Sequence, residues 1–185
     1  MRALFISFTL LLLASCGAFN LEEHENTRPE MKLETFFNGN LVAYGVVLDR
    51  SGNLLRRFSV DLVANWQNDN GEIKEWFLFD DGEKSTRIWR LKKVTDNQYQ
   101  GEADDVIGTA EGSTSGSVLY WEYELEIDFD GTIYQVTLDD KMYLIDKDRL
   151  FNKTDMLKYG FKVGEIILYI EKESTKNTND MSITL

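Results

Sequence analysis

The sequence predicts an all-β domain: an antiparallel, up-and-down barrel of about eight to ten strands, with one short helix before the last strand. Three observations carry this. Apolar and polar residues alternate in run after run, the period of a strand with one dry face and one wet one. Gly-containing steps such as Ser51-Gly52-Asn53, Asp69-Asn70-Gly71, Asp81-Gly82 and Asp130-Gly131 fall between the runs and supply the positive φ that tight hairpins need. The sole proline, Pro29, lies outside the patterned region 33–173, as strands with paired backbone donors require.

In chain order, strands are expected at 41–48, 58–66, 73–80, 86–94, 98–104, 106–112, 119–129, 134–144 and 161–171. The run at 119–129 is the clearest. Leu119, Trp121, Tyr123, Leu125, Ile127 and Phe129 share one face, and Tyr120, Glu122, Glu124, Glu126 and Asp128 the other. Phe58, Val60, Leu62, Ala64 and Trp66 form a second stripe; Tyr134, Val136, Leu138, Met142 and Leu144 form a third. Asp146 to Gly160 breaks the alternation and is read as a short helix or two turns, with Asp148 or Thr154 as the cap and Gly160 as the end. The glycines between Gly101 and Gly116 are expected at the bulges and bends that close a barrel.

The first residues have a different character. Met1-Arg2 precedes an apolar run to Leu13, then small residues, then Cys16, the only cysteine. This describes a signal peptide over 1–15, too short for a comfortable bilayer span of roughly 20 residues. Leu13-Ala14-Ser15-Cys16 resembles the lipobox of bacterial lipoproteins, which implies acylation of Cys16 and attachment to an envelope membrane through more than one acyl chain. Gly17 in place of an aspartate points to the outer membrane, facing the periplasm. Residues 16–32 then form the lipidated cysteine and a polar tether, 33–173 the barrel, and 174–185 a polar tail. The alternative for Cys16 is a chance cysteine beside a cleaved signal. A thiol–imidazole pair with His24, the only histidine, would need a fold to fix both groups.

Charge narrows the partners. With 32 acidic against 20 basic residues, the chain repels phosphate backbones, so nucleic acid is not an expected partner. With no other cysteine, packing alone must hold the domain together. The Asp80-Asp81, Asp104-Asp105 and Asp139-Asp140 pairs lack the spacing of a calcium loop, and adjacent strand residues point to opposite faces. No metal or other cofactor is expected.

Several further segments carry a family resemblance: "FFNGNLVAYGVVLDRSGNLLRRF" (36–58), "DDGEKSTRIW" (80–89), "YQGEADDVIGTAEG" (99–112), "LDDKMYLID" (138–146) and "LFNKTDMLKYGFKVGEI" (150–166). They resemble an uncharacterised family of Gram-negative bacterial lipoproteins known only as a domain of unknown function. The region is also distantly similar to lipocalins and the broader calycins. The resemblance implies a barrel on a membrane anchor and carries no catalytic residue.

Candidate sites follow from strand phase. Arg87 alternates with Trp89 and Leu91, and Asp140 with Leu138 and Met142. A charge on an inward face must find a partner. Either Arg87 meets a ligand carboxylate or phosphate, or Arg87 and Asp140 pair internally or lie exposed at strand ends. Trp66, Trp89, Trp121 and Tyr123 either line a cavity or fill it solidly. The expected function is binding of a small apolar or amphipathic ligand, a fatty acid or lipid, without catalysis. The alternative is a filled barrel that docks an envelope protein. An enzyme would have to use carboxylates such as Asp105, Asp140 or Glu165.

Overall fold

The computed structural model describes residues 19–129 and 132–173. Ten strands follow one another: β1 (Gly39–Asp49), β2 (Leu54–Gln67), β3 (Asn70–Phe79), β4 (Lys84–Lys93), β5 (Gln98–Glu102), β6 (Val106–Ser115), β7 (Val118–Phe129), β8 (Thr132–Leu144), β9 (Arg149–Lys158) and β10 (Phe161–Lys172). Each pairs antiparallel with the next, and β1 also pairs with β10. The sheet therefore closes into an up-and-down barrel, which removes the two edges that an open sheet would expose.

Alternation decides what is buried. Leu119, Trp121, Tyr123 and Leu125 point inward on β7 and are buried, while Glu122, Glu124 and Glu126 between them are exposed. Val60, Leu62 and Ala64 do the same on β2. Leu119 and Leu150 have no accessible surface, and burial of each such side chain contributes about 2 kcal/mol. The β9–β10 hairpin turns through Tyr159 and Gly160 at φ 52 and 78. The β2–β3 turn falls on Asn68 (φ 55) and Asp69, one residue earlier than the sequence suggests. Asn70 and Gly71 belong to β3 instead, paired with Gln67 and Trp66, and a Cβ at position 71 would come within 2.6 Å of the Trp66 indole that packs there.

The segment expected as a helix, 146–160, is instead a turn followed by β9, paired with β8 on one side and β10 on the other. Its inward positions are Leu150, Asn152, Thr154 and Met156. Two polar side chains inside the barrel erase the apolar stripe that would have marked a strand. Thr154 caps nothing; it is buried, and its hydroxyl bonds Asp140.

Among the described residues the helical pieces are a 3-10 turn, Leu21–His24, and α1 (Leu33–Phe36), both ahead of β1. Residues 20–32, expected as a tether, lie against the barrel. Met31 donates its N–H to the Gly116 carbonyl at 2.7 Å, and Thr27 Oγ1 accepts from the Ser117 N–H at 2.8 Å. Met31, Leu33, Phe36 and Phe37 are buried and plug the end of the barrel where β1 begins. Three bonds seat the plug. Trp66 Nε1 donates to the Phe37 carbonyl at 2.9 Å, and Lys93 Nζ and Tyr99 Oη each donate to the Glu34 carboxylate at 2.8 Å. The 1–15 signal, Cys16, the Asp130-Gly131 turn and the 174–185 tail lie outside the described residues.

Candidate functional site

Above the plug the lumen holds a cavity of about 140 Å3. Its wall is chiefly apolar, with Val60, Leu62, Ile73, Phe77, Leu91 and Leu168 among its members. Trp89 stands edge-on to Trp121 at 5.8 Å and to Tyr123 at 5.2 Å between ring centroids, arrangements that aromatic quadrupoles favour. Trp121 fits only because two neighbours lack side chains. A Cβ on Gly112 would lie 2.1 Å from its ring, and one on Gly101 2.6 Å away. The bend foreseen in this stretch falls at Gly108, whose φ of 70 marks the register shift in β6.

Six polar side chains interrupt the apolar wall: Glu75, Arg87, Tyr123, Asp140, Asn152 and Thr154. Sequence phase brings Arg87, Asp140, Trp89, Trp121 and Tyr123 to this cavity. Trp66 lies outside its wall, against Gly71, Tyr99 and the plug. Glu75, Asn152 and Thr154 were missed. For Glu75 the signal was present, because it sits in phase between Ile73 and Phe77 just as Arg87 does beside Trp89.

The charges are partnered unevenly. Arg87 is held by Asp105, with Nη2 2.6 Å from one carboxylate oxygen and Nε 2.9 Å from the same oxygen. Its guanidinium also lies 5.8 Å from the Phe77 ring and 5.7 Å from the Trp89 ring. Asp140 does not bond Arg87; its Oδ1 accepts from the Thr154 hydroxyl and, at 3.4 Å, from the Asn152 amide. Burial pushes the Asp140 carboxyl up to about 6 despite those donors. Glu75 is directly opposite Arg87 across the β3–β4 ladder. Burial pushes its carboxyl up to about 7; the Arg87 charge pulls it down, and the Asp105 and Asp140 charges push it further up. Burial also raises the Tyr123 hydroxyl well above its ordinary range.

One part of the wall is not made of ladder. β4 starts at Lys84, yet its pairing with β5 begins only at Arg90–Glu102. Above that point Arg87–Asp105 and, at 3.0 Å, Arg90–Asp104 join β4 to the β5–β6 loop. The Asp139-Asp140 pair divides between faces, with Asp139 accepting from Lys141 at 2.8 Å and Asp140 inside. Among the described residues no group of three His, Cys, Asp or Glu side chains is placed to hold a metal ion. The cavity can therefore take a small apolar group and present carboxylate, amide and hydroxyl groups to its polar end.

A family model described as a protein of unknown function (DUF3833) matches residues 10–172, and the chain belongs to that family. No curated protein matches. Among solved structures, the S-type phycobiliprotein lyase CPES from Guillardia theta is similar in fold, with a TM-score of 0.54 and 10% sequence identity over 85% of this chain and 99% of that one. The barrel is thus lipocalin-like in fold.

Proposed function

We propose that this member of the DUF3833 family binds a small amphipathic molecule inside its barrel, without catalysis, while an acylated Cys16 ties it to an envelope membrane. The observation that carries the proposal is a chiefly apolar cavity in the lumen whose few polar groups sit close enough to shift one another's ionisation. A core built for stability alone gains nothing from a buried Glu, Arg and Asp, because taking charges out of water is costly. The volume of about 140 Å3 matches a ring or a short chain, since a cavity of roughly 150 Å3 takes up benzene. A lipid would insert one end of its chain there and leave the remainder at the mouth. The lipobox-like Leu13-Ala14-Ser15-Cys16 supports the anchor, and Gly17 supports an outer-membrane address facing the periplasm.

Mass spectrometry of organic extracts of the purified protein tests the binding. A discrete small amphiphile near one per chain is the expected result. An empty protein that also takes up no added amphiphile overturns the proposal. For the anchor, Cys16→Ala is expected to move the protein from the detergent phase to the aqueous phase on phase separation; unchanged partitioning removes Cys16 from the attachment.

A further inference from the structure

We propose that the buried end of the ligand is a hydrogen-bond donor carrying positive charge, a primary amine or its like, and not a carboxylate. This rests on the lumen being a ligand site and specifies the chemistry that site selects.

Two acceptors at the cavity are left open. Glu75 Oε2 and Asn152 Oδ1 are enclosed and have no hydrogen-bond partner among the described residues. Asn152 is only 6% exposed, and its amide nitrogen is already spent on Asp140 and Thr154. Among the described residues Arg87 is the one cation lining the cavity, and its Nε and Nη2, though not its Nη1, are bonded to Asp105. Buried acceptors without donors are uncommon in proteins and costly to keep. Both oxygens are therefore open to a donor carried by the ligand.

The charge balance has the same sign. Glu75 and Asp140 line the cavity, and Asp105 stands at its edge, against Arg87 alone. An incoming carboxylate would add negative charge where it is already in excess, and would leave the two open oxygens without a donor. An ammonium brings three donors and the missing positive charge. Burial, with the Asp105 and Asp140 charges, holds the Glu75 carboxyl near 7 against the pull of Arg87.

Probes of about six heavy atoms suit the volume: n-pentylamine, n-pentanol and n-pentanoate. Titrations of the purified protein at pH 7.5, read by tryptophan fluorescence and indole N–H chemical shifts of Trp89 and Trp121, give three affinities. Pentylamine is expected to bind at least tenfold more tightly than pentanoate. Glu75→Gln is expected to cut that preference to less than threefold, with near-UV circular dichroism confirming the fold. Asp140→Asn, made in parallel, provides a second variant if Glu75→Gln does not fold. Pentanoate binding as tightly as pentylamine, or an amine preference that survives both substitutions, overturns the proposal and leaves a binding lumen standing. Failure of all three probes, pentanol included, overturns the proposal and the ligand-binding function together.

Discussion

Glu75 and Arg87 face each other across the β3–β4 ladder inside the barrel, yet the Arg87 guanidinium bonds Asp105 on the β5–β6 loop. One cation thus stands between two carboxylates, and it bonds the one nearer solvent. Asp105→Asn should change which of them it serves. Arg87 would then turn to Glu75, and the Glu75 carboxyl would move down from about 7 toward its ordinary range. Carboxyl carbon NMR of selectively labelled protein would record the shift. A Glu75 titration unchanged by the substitution would show that Arg87 cannot reach it.

The same buried acids set the pH dependence of stability. In the unfolded chain Glu75 and Asp140 release their protons near ordinary values, but in the folded barrel they hold them to about 7 and about 6. From about pH 4 to 7 the folded state therefore binds more protons than the unfolded state. The stability these groups contribute is present at the acid end of that window and is lost as pH rises through it. The melting temperature of the ligand-free protein is expected to fall by about 5 °C between pH 5 and 7.5. Glu75→Gln should flatten the curve. A melting temperature that rises over this range would mean that both groups are charged inside the barrel.

The plug responds to acid with the opposite sign. Burial works to raise the Glu34 carboxyl, but the Lys93 ammonium and the Tyr99 hydroxyl outweigh it and hold the group below its usual range. Its stabilisation is present above the ordinary carboxylate range and is lost as pH falls through the lowered value. Tyr99→Phe removes one of its two side-chain donors and is expected to cost about 1 kcal/mol in urea unfolding at pH 7. Amide exchange at Phe36 and Phe37, whose N–H groups bond back to Lys32 and Leu33, should quicken by more than exchange at the centre of β7. Equal effects at both places would mean that the plug unfolds only together with the barrel.

Gly112→Ala probes the shape of the cavity. The new methyl group would overlap the Trp121 ring, and both positions lie in a packed interior. Overpacking of this kind costs about 1–3 kcal/mol. The indole is expected to swing into the lumen, lowering affinity for any ligand and shifting tryptophan emission. Unaltered stability together with unaltered emission would show that β6 can move away from β7 at this point.

The sequence was most legible where burial follows a simple period. The inward stripes of β2, β7 and β8 could be read directly, because a strand with one dry face must alternate and each stripe was apolar enough to see. The same logic placed Arg87 and Asp140 on inward faces. It faltered at β9, where Asn152 and Thr154 occupy inward positions, so the residues that complete the polar cluster also concealed the strand that carries them.

The chain by itself determined nine of the ten strands, most of their turns and the inward direction of Trp89, Trp121, Tyr123, Arg87 and Asp140, because side-chain phase along a strand is local. The tertiary structure alone decided that Asp105 holds Arg87, that Asp140 turns to Thr154, and that Glu75 and Asn152 keep oxygens without donors. Those choices depend on register and closure, which set residues up to dozens of positions apart within hydrogen-bonding distance, and no periodicity within a single strand encodes them.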